Sequence, residues 1–407
     1  MRTARARTWT SWVRPRPCVP QAPAQIFQYS IDCSPEPRAW IIGLALMEST
    51  GEEEARPALP PPVQELAVQC AGAAYGVPSR YVARAAGDGT KGTVAAPVPV
   101  IDLGRLCQPG GGSAAADEAA KLQLALQSWG LFLVANHGIE ASLMDAMMDA
   151  SREFFRQPLH EKQKHSNMVD GKRSLFEGYG NDVEVVSKDQ ILDWSDRLLL
   201  KVEPQAERNL ALWPTCIRDV LHEFTAQCTR VKDRLLPEMA KMLDLEDDYF
   251  SNQLGDKADT LARFSYYPPC PRPDLVFGLR PHCDGCFVSL LMADNAVRGL
   301  QVLRDGVWYD VPTKPHTLLI NLGDHMEIMS NGIFKSPVHR VVTNAEKERL
   351  SVALFYSTDP EREIQPSGKL VDENHPTLYK KVKIKEYAAG LYEHFSQGKL
   401  VKETAKI

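Results

Sequence analysis

Arg349-Leu350-Ser351-Val352-Ala353-Leu354-Phe355-Tyr356 reads as a β-strand, and its alternation decides which side chains share a face. Arg349, Ser351, Ala353 and Phe355 have one parity, so a guanidinium, a hydroxyl and an aromatic ring line the same side. Upstream, runs of the same character follow one another from Asp259: residues 260–267, 288–292, 299–303, 307–311, 317–321 and 338–343. Arg304-Asp305-Gly306 supplies a hairpin turn between two of them. Short strands at this spacing, with no helices between them, predict a mainly β fold whose core is a double-stranded β-helix, or jelly roll.

N-terminal to this block the periodicity is helical. A short helix is predicted from residue 63, a loop over 87–92, and a buried strand at Pro99-Val100-Ile101-Asp102-Leu103. Ser113 is placed to cap a helix over 114–129, which Gly130 stops. A strand over 131–134 and a helix over 141–156 follow, the latter with Met144, Met147 and Met148 as a core stripe. Pro214 opens a long helix to about residue 245, and Pro237 is expected to kink or break its last turns. A C-terminal helix over 384–397 closes the pattern. The expected organisation is therefore an extension (1–46) that is disordered or artefactual, a lead segment (47–96), and an N-terminal helical and strand region (97–213). A long helix with its connector (214–257), the jelly roll (258–360) and a C-terminal helix and tail (361–407) complete it.

Composition narrows the function classes. The 407 residues carry a formal net charge of -5 and no dense basic tract, so nucleic acid is not an expected partner. The longest apolar run near the start, residues 40–47, falls well short of the roughly 18 residues a membrane span needs, and no membrane association is expected. Nine scattered cysteines without a framework point to a reducing compartment, and the chain is expected in the cytoplasm. A monomer is expected. Cys283-Asp284-Gly285-Cys286 has CxxC spacing, but no second CxxC completes a zinc site, and two packing thiols are the better reading. Five arginines precede the first acidic residue, Asp32; a transit peptide has that bias, and a disordered upstream extension is preferred over it.

His282 and Asp284 stand at i and i+2, so on an extended segment both face one way. His339 is expected to come from a distant strand on the opposite sheet. Two histidines and one carboxylate with an open side are the ligand set of non-haem Fe(II) oxygenases, in which a 2-oxo acid and O2 take the free positions. His316 and His325 compete in the same region, but the combination of His-x-Asp, a later histidine and Arg-x-Ser selects the first set. A buried Arg349 needs a partner. Glu346 and Glu348 are local and exposed in character, so a ligand carboxylate is expected to fill that role, gripped by Arg349 and Ser351. On the strand over 260–267, Arg263, Ser265 and Tyr267 share a face; Tyr267 can assist the same carboxylate, while Arg263 lies toward the substrate. Phe287 and Phe355, with Arg263, suggest an aromatic pocket with a polar handle.

Longer stretches carry a family likeness. Ser265-Tyr266-Tyr267-Pro268-Pro269-Cys270-Pro271-Arg272-Pro273-Asp274-Leu275, Gly278-Leu279-Arg280-Pro281-His282-Cys283-Asp284-Gly285, Asn321-Leu322-Gly323-Asp324 and Lys335-Ser336-Pro337-Val338-His339-Arg340-Val341 are the strongest. Trp129-Gly130, Asn136-His137-Gly138 and Asp193-Trp194-Ser195-Asp196 extend it upstream. From about residue 60 onward the chain resembles plant-type 2-oxoglutarate/Fe(II)-dependent dioxygenases of the isopenicillin N synthase-like superfamily, in their specialised-metabolism branch. The resemblance implies Fe(II) on His282, Asp284 and His339, and 2-oxoglutarate held by Arg349 and Ser351 with Tyr267 assisting. It implies O2 as second co-substrate and ascorbate as a supporting reductant. A small aromatic metabolite would be hydroxylated, O-demethylated or desaturated, with release of succinate and CO2. Flavonoids, alkaloids, indoleamines and hormones are the implied classes, an indole or phenolic compound being the first expectation. Two departures stand out: Ser265 replaces a frequent Asn, and Cys283 replaces the usual Ser or Thr, with Cys286 also unusual. Two rivals are an iron oxidase that does not use 2-oxoglutarate, and a non-catalytic small-molecule binding protein on the same fold.

Overall fold

Alternating apolar residues, most of them in the C-terminal half, assemble into two sheets whose inner faces meet. A computed structural model of the chain describes residues 61–71, 76–83, 94–169, 172–173, 177–180, 190–396 and 399–407. The expected 1–46 extension and the 87–92 loop lie outside these residues. In chain order the helices are α1 (Val63–Ala71), α2 (Leu103–Leu106), α3 (Ser113–Ser128), α4 (Ala141–Arg156), α5 (Leu159–Gln163), α6 (Thr215–Lys241), α7 (Tyr249–Leu254), α8 (Asp324–Met329) and α9 (Ile384–Ser396). The strands are β1 (Val100–Asp102), β2 (Leu131–Ala135), β3 (Met168–Val169), β4 (Lys172–Arg173), β5 (Gly178–Gly180), β6 (Asp196–Glu203), β7 (Thr260–Tyr267) and β8 (Phe277–His282). They continue with β9 (Val288–Ala293), β10 (Leu300–Arg304), β11 (Val307–Asp310), β12 (Leu318–Leu322), β13 (His339–Val342), β14 (Arg349–Tyr356), β15 (Glu363–Ile364) and β16 (Val382–Lys383).

The larger sheet has eight strands in the order β1-β2-β12-β9-β14-β7-β6-β5, and the smaller has four in the order β11-β10-β13-β8. Their inner faces share a core in which Leu131, Leu133, Leu319 and Tyr267 meet Leu300, Val302 and Val341. The opposite face of the larger sheet carries Leu350, Val352, Leu354 and Phe264 into the main core with Phe154, Leu221 and Phe224 of α4 and α6. Each such large side chain, fully buried, contributes roughly 1.5–3 kcal/mol. The alternation read from residues 349–356 thus sorts β14 correctly: its even positions anchor the helices and its odd positions face the space between the sheets. Asp305 (φ 51°) and Gly306 (φ 76°) form a type I′ turn that pairs Arg304 with Val307.

Several local expectations change. Gly112, not Ser113, stands at the N-cap of α3, and no side chain caps it. α6 runs unbroken through Pro237 to Lys241, because Leu235, Leu236, Met239 and Ala240 are buried on both sides of the proline and tertiary packing outweighs the lost backbone bond. β6 and β8 were not anticipated. Charges open β6, and Gly278 and Pro281 interrupt the apolar alternation of β8.

Candidate active site

His282 ends β8 and His339 begins β13, and the two are register partners on adjacent strands of the smaller sheet. Their ring centroids lie 4.2 Å apart. The expectation that His339 comes from the opposite sheet is therefore corrected: strand order puts β13 beside β8, which sequence spacing does not reveal. Asp284, in the loop after β8, brings Oδ1 to 3.7 Å from His282 Nε2 and 3.5 Å from His339 Nε2. Among the described residues this is the one group of three such side chains whose ligand atoms lie within 4.8 Å of one another. That spacing suits three ligands on one side of a single ion.

Hydrogen bonds aim each donor. His282 Nδ1 lies 2.8 Å from the Arg280 carbonyl, and His339 Nδ1 lies 3.1 Å from the Pro337 carbonyl. Each Nδ1–H can donate there, which turns the Nε2 lone pairs toward the shared space. Asp284 Oδ2 accepts from Ser289 Oγ and from Asn321 Nδ2, both at 2.6 Å, leaving Oδ1 for the imidazoles. Burial, with His339 beside it, pushes His282 down to about 3, so it is neutral at physiological pH. Burial opposes the charge on Asp284, but the two histidines, Ser289 and Asn321 outweigh it and hold the carboxyl below its ordinary range. The loop itself is clasped by α8: Asp324 N–H donates to the Asp284 carbonyl at 2.8 Å and His325 N–H to the Cys286 carbonyl at 3.1 Å. A Cβ on Gly323 would sit 2.0 Å from the Cys286 carbonyl oxygen, so this close approach requires glycine.

Across the cavity, β14 places Arg349 opposite Tyr267 and Ser351 opposite Ser265 in the register with β7. Arg349 is only 3% exposed, and its Nε and Nη1 have no hydrogen-bond partner. Its guanidinium carbon lies 5.3 Å from the Tyr267 ring centroid. Neither local glutamate takes it: Glu348 is engaged by Tyr266 and by Arg156, and desolvation lowers the Arg349 pKa. Space is left around this arginine by glycine, since a Cβ on Gly299 would lie 2.9 Å from Arg349 Cδ. A buried guanidinium with two unpaired nitrogens, beside a serine and a tyrosine, fits a carboxylate ligand.

The other sequence-predicted residues divide. Phe355 is half-buried on the inner face and lies opposite Ser289, the residue that holds Asp284. Arg263 shares that face, its Nε donating to Ser265 Oγ at 2.9 Å. Phe287 does not join them: it is fully buried in the main core, edge-on to Phe250 at 5.7 Å, on the helical side of the sheet. Cys283 and Cys286 are buried thiols that burial pushes up, donating or packing beside Ser336 and Ser289. His316 is on the surface against Asp145, and His325 is buried outside the cluster. Ser289 and Phe395 escaped the sequence reading, and Asn321 opens the Asn321-Leu322-Gly323-Asp324 stretch with no role assigned to it. Phe395 of α9 stands edge-on to His282 at 5.8 Å and under the Arg280 guanidinium at 5.0 Å. No motif signals it.

Comparison with known proteins gives the family. Residues 258–358 match the model of the 2OG-Fe(II) oxygenase superfamily, and residues 98–216 match that of the non-haem dioxygenase in morphine synthesis N-terminal region. Protein SRG1 of Arabidopsis thaliana is 35% identical over 370 residues, spanning 89% of this chain and 100% of its own. Oxoglutarate-dependent flavonoid 7-O-demethylase 1 of Ocimum basilicum is 37% identical, spanning 83% of this chain and 89% of its own. Among solved structures, JOX2 in complex with 2OG, Fe and JA superposes with a TM-score of 0.76 at 33% identity, covering 86% of this chain and 98% of that one. No helix among the described residues is long and apolar enough to cross a membrane.

Proposed function

Since this chain belongs to the 2OG-Fe(II) oxygenase superfamily and is an Fe(II)- and 2-oxoglutarate-dependent oxygenase, we propose that its iron is held by His282 Nε2, His339 Nε2 and Asp284 Oδ1. The same proposal gives the distal carboxylate of 2-oxoglutarate to Arg349 and Ser351, with Tyr267 assisting. The observation that carries it is the pairing of a donor cluster with a buried guanidinium on the facing sheet whose Nε and Nη1 have no partner. When bound, iron and 2-oxoglutarate supply the O2-dependent oxidation of a substrate C–H bond, with succinate and CO2 as co-products. The chain's part is placement. Carbonyl contacts fix the imidazole tautomers, Ser289 and Asn321 fix the carboxylate, and the apolar walls between the sheets exclude water.

For the substrate we propose a small aromatic metabolite, hydroxylated or O-demethylated, whose ring packs on Phe355 and whose polar group faces Arg263. Phe355 on the cavity face and the arginine two register positions from Ser351 support this reading. So does the name of one relative, a flavonoid 7-O-demethylase, while the structure holding JA supports a small organic molecule in general. A cytoplasmic, monomeric enzyme is part of the proposal. The test is succinate formation from 2-oxoglutarate against a panel of aromatic metabolites, with His282→Ala as control. Substrate-dependent succinate lost in the variant supports the assignment; normal turnover by His282→Ala removes it, and oxidation without succinate removes the role of Arg349.

A further inference from the structure

We propose that Lys402, on the 3₁₀ turn Val401–Ala405 near the C-terminus, is a positioning residue for the metal centre, acting through the Ser336 carbonyl. Lys402 is 8% exposed, and its Nζ donates to Ser336 O at 2.6 Å and pairs with Glu327 Oε2 at 3.1 Å. Ser336 immediately precedes Pro337, whose carbonyl orients His339. The same Ser336 oxygen accepts from the Sγ of Cys283 at 3.6 Å, and Cys283 lies between His282 and Asp284. One carbonyl therefore ties together both ligand-bearing segments, and Lys402 is the cation that holds it.

The rest of Ser336 is equally committed. Its N–H donates to Glu327 Oε2 and its Oγ to Asp324 Oδ1, each at 2.6 Å. Asp324 is the residue whose N–H holds the Asp284 carbonyl. The C-terminal segment closes the remaining acceptors: Tyr379 donates to Glu327 Oε1 at 2.6 Å, and Tyr387 to Asp324 Oδ2 at 2.7 Å. An exposed ion pair would matter little here. Loss of a buried one leaves Glu327 charged and Ser336 O with only the weak Cys283 donor, and the strain falls on the segments that Ser336 ties together, which carry the ligands. Outer partners of metal ligands typically set affinity by about 10- to 100-fold.

This inference rests on the ligand assignment above, and the experiment separates the two. Co(II) is titrated into the full-length chain, following its d–d absorption, alongside thermal melting without metal. Lys402→Met, one bond further from the ligands than such partners, should lower Co(II) affinity about 10-fold and alter the d–d spectrum of the folded protein. Lys402→Arg should restore both. Ile384→Ala, which loosens α9 through lost packing and removes none of these hydrogen bonds, should lower the melting temperature and leave the spectrum unchanged. Wild-type affinity and spectrum in Lys402→Met would overturn the proposal, reducing Lys402 to a tail anchor. If Lys402→Met does not fold, Lys402→Gln carries the same test: reduced affinity supports the proposal and wild-type affinity overturns it. Retention of Co(II) affinity by His282→Ala would instead remove the ligand assignment itself.

Discussion

Replacing Arg349 with glutamine should uncouple the two halves of the site. Nε and Nη1 of Arg349 are buried without partners, so two charge-assisted hydrogen bonds to a carboxylate are available. At about 1.5–3 kcal/mol each, they amount to roughly 3–6 kcal/mol. A tenfold change corresponds to about 1.4 kcal/mol, so Arg349→Gln should raise the KM for 2-oxoglutarate roughly 10²-fold or more. The KM for the organic substrate should change little, because Arg349 and Phe355 stand near opposite ends of the same face of β14. A second consequence concerns the ligand-free protein. An unsatisfied buried charged group costs about 1–3 kcal/mol or more, so the variant without ligand should melt at or above the parent temperature. The parent should gain thermal stability from 2-oxoglutarate with Fe(II) under anaerobic conditions, and the variant should gain much less. Steady-state succinate assays and thermal melts read both effects. An unchanged KM for 2-oxoglutarate together with a raised KM for the organic substrate would refute the reasoning.

Asn321→Ala removes one of two donors on Asp284 Oδ2 and should weaken Fe(II) binding about 10-fold or more in equilibrium dialysis, with little change in fold by circular dichroism. Phe355→Ala should alter substrate KM and selectivity while 2-oxoglutarate KM stays near the parent value. Phe287→Ala, by contrast, should cost about 3–5 kcal/mol of stability in denaturant melts, since that ring fills the main core. Asp324 has a pH signature: burial pushes it up to about 6. A carboxyl with a folded value above its ordinary one stabilises the protonated fold, so this contribution is present in acid and fades as pH rises from about 4 through 6. The melting temperature of Asp324→Asn relative to the parent should therefore rise over that window, and a pH-independent difference would contradict the assignment.

The residues proposed to hold iron and 2-oxoglutarate are legible where their spacing is local. His282-x-Asp284 and Arg349-x-Ser351 are readable within a few positions, and parity alone put Phe355 and Arg349 on one face. The jelly roll was legible for the same reason, through short strands and a type I′ turn at Asp305-Gly306. What failed depends on strand order. Nothing in the chain announces that β13 lies beside β8, so spacing alone points His339 to the opposite sheet. Phe287 precedes β9 by one residue, and whether it faces the cavity or the helices is decided by the packing of α7, through Phe250. Asn321 lies 37 residues from Asp284, and Lys402 lies 66 from Ser336. Such supports are ordinary polar residues until folding brings them to the ligands.

The most direct test is an anomalous-difference map at the iron edge, from crystals grown with Fe(II) and 2-oxoglutarate without O2. A single peak in contact with His282 Nε2, His339 Nε2 and Asp284 Oδ1, with a keto acid reaching Arg349, is the expected result. Iron bound at Cys283 or Cys286, or a keto acid that leaves Arg349 unpaired, would contradict it.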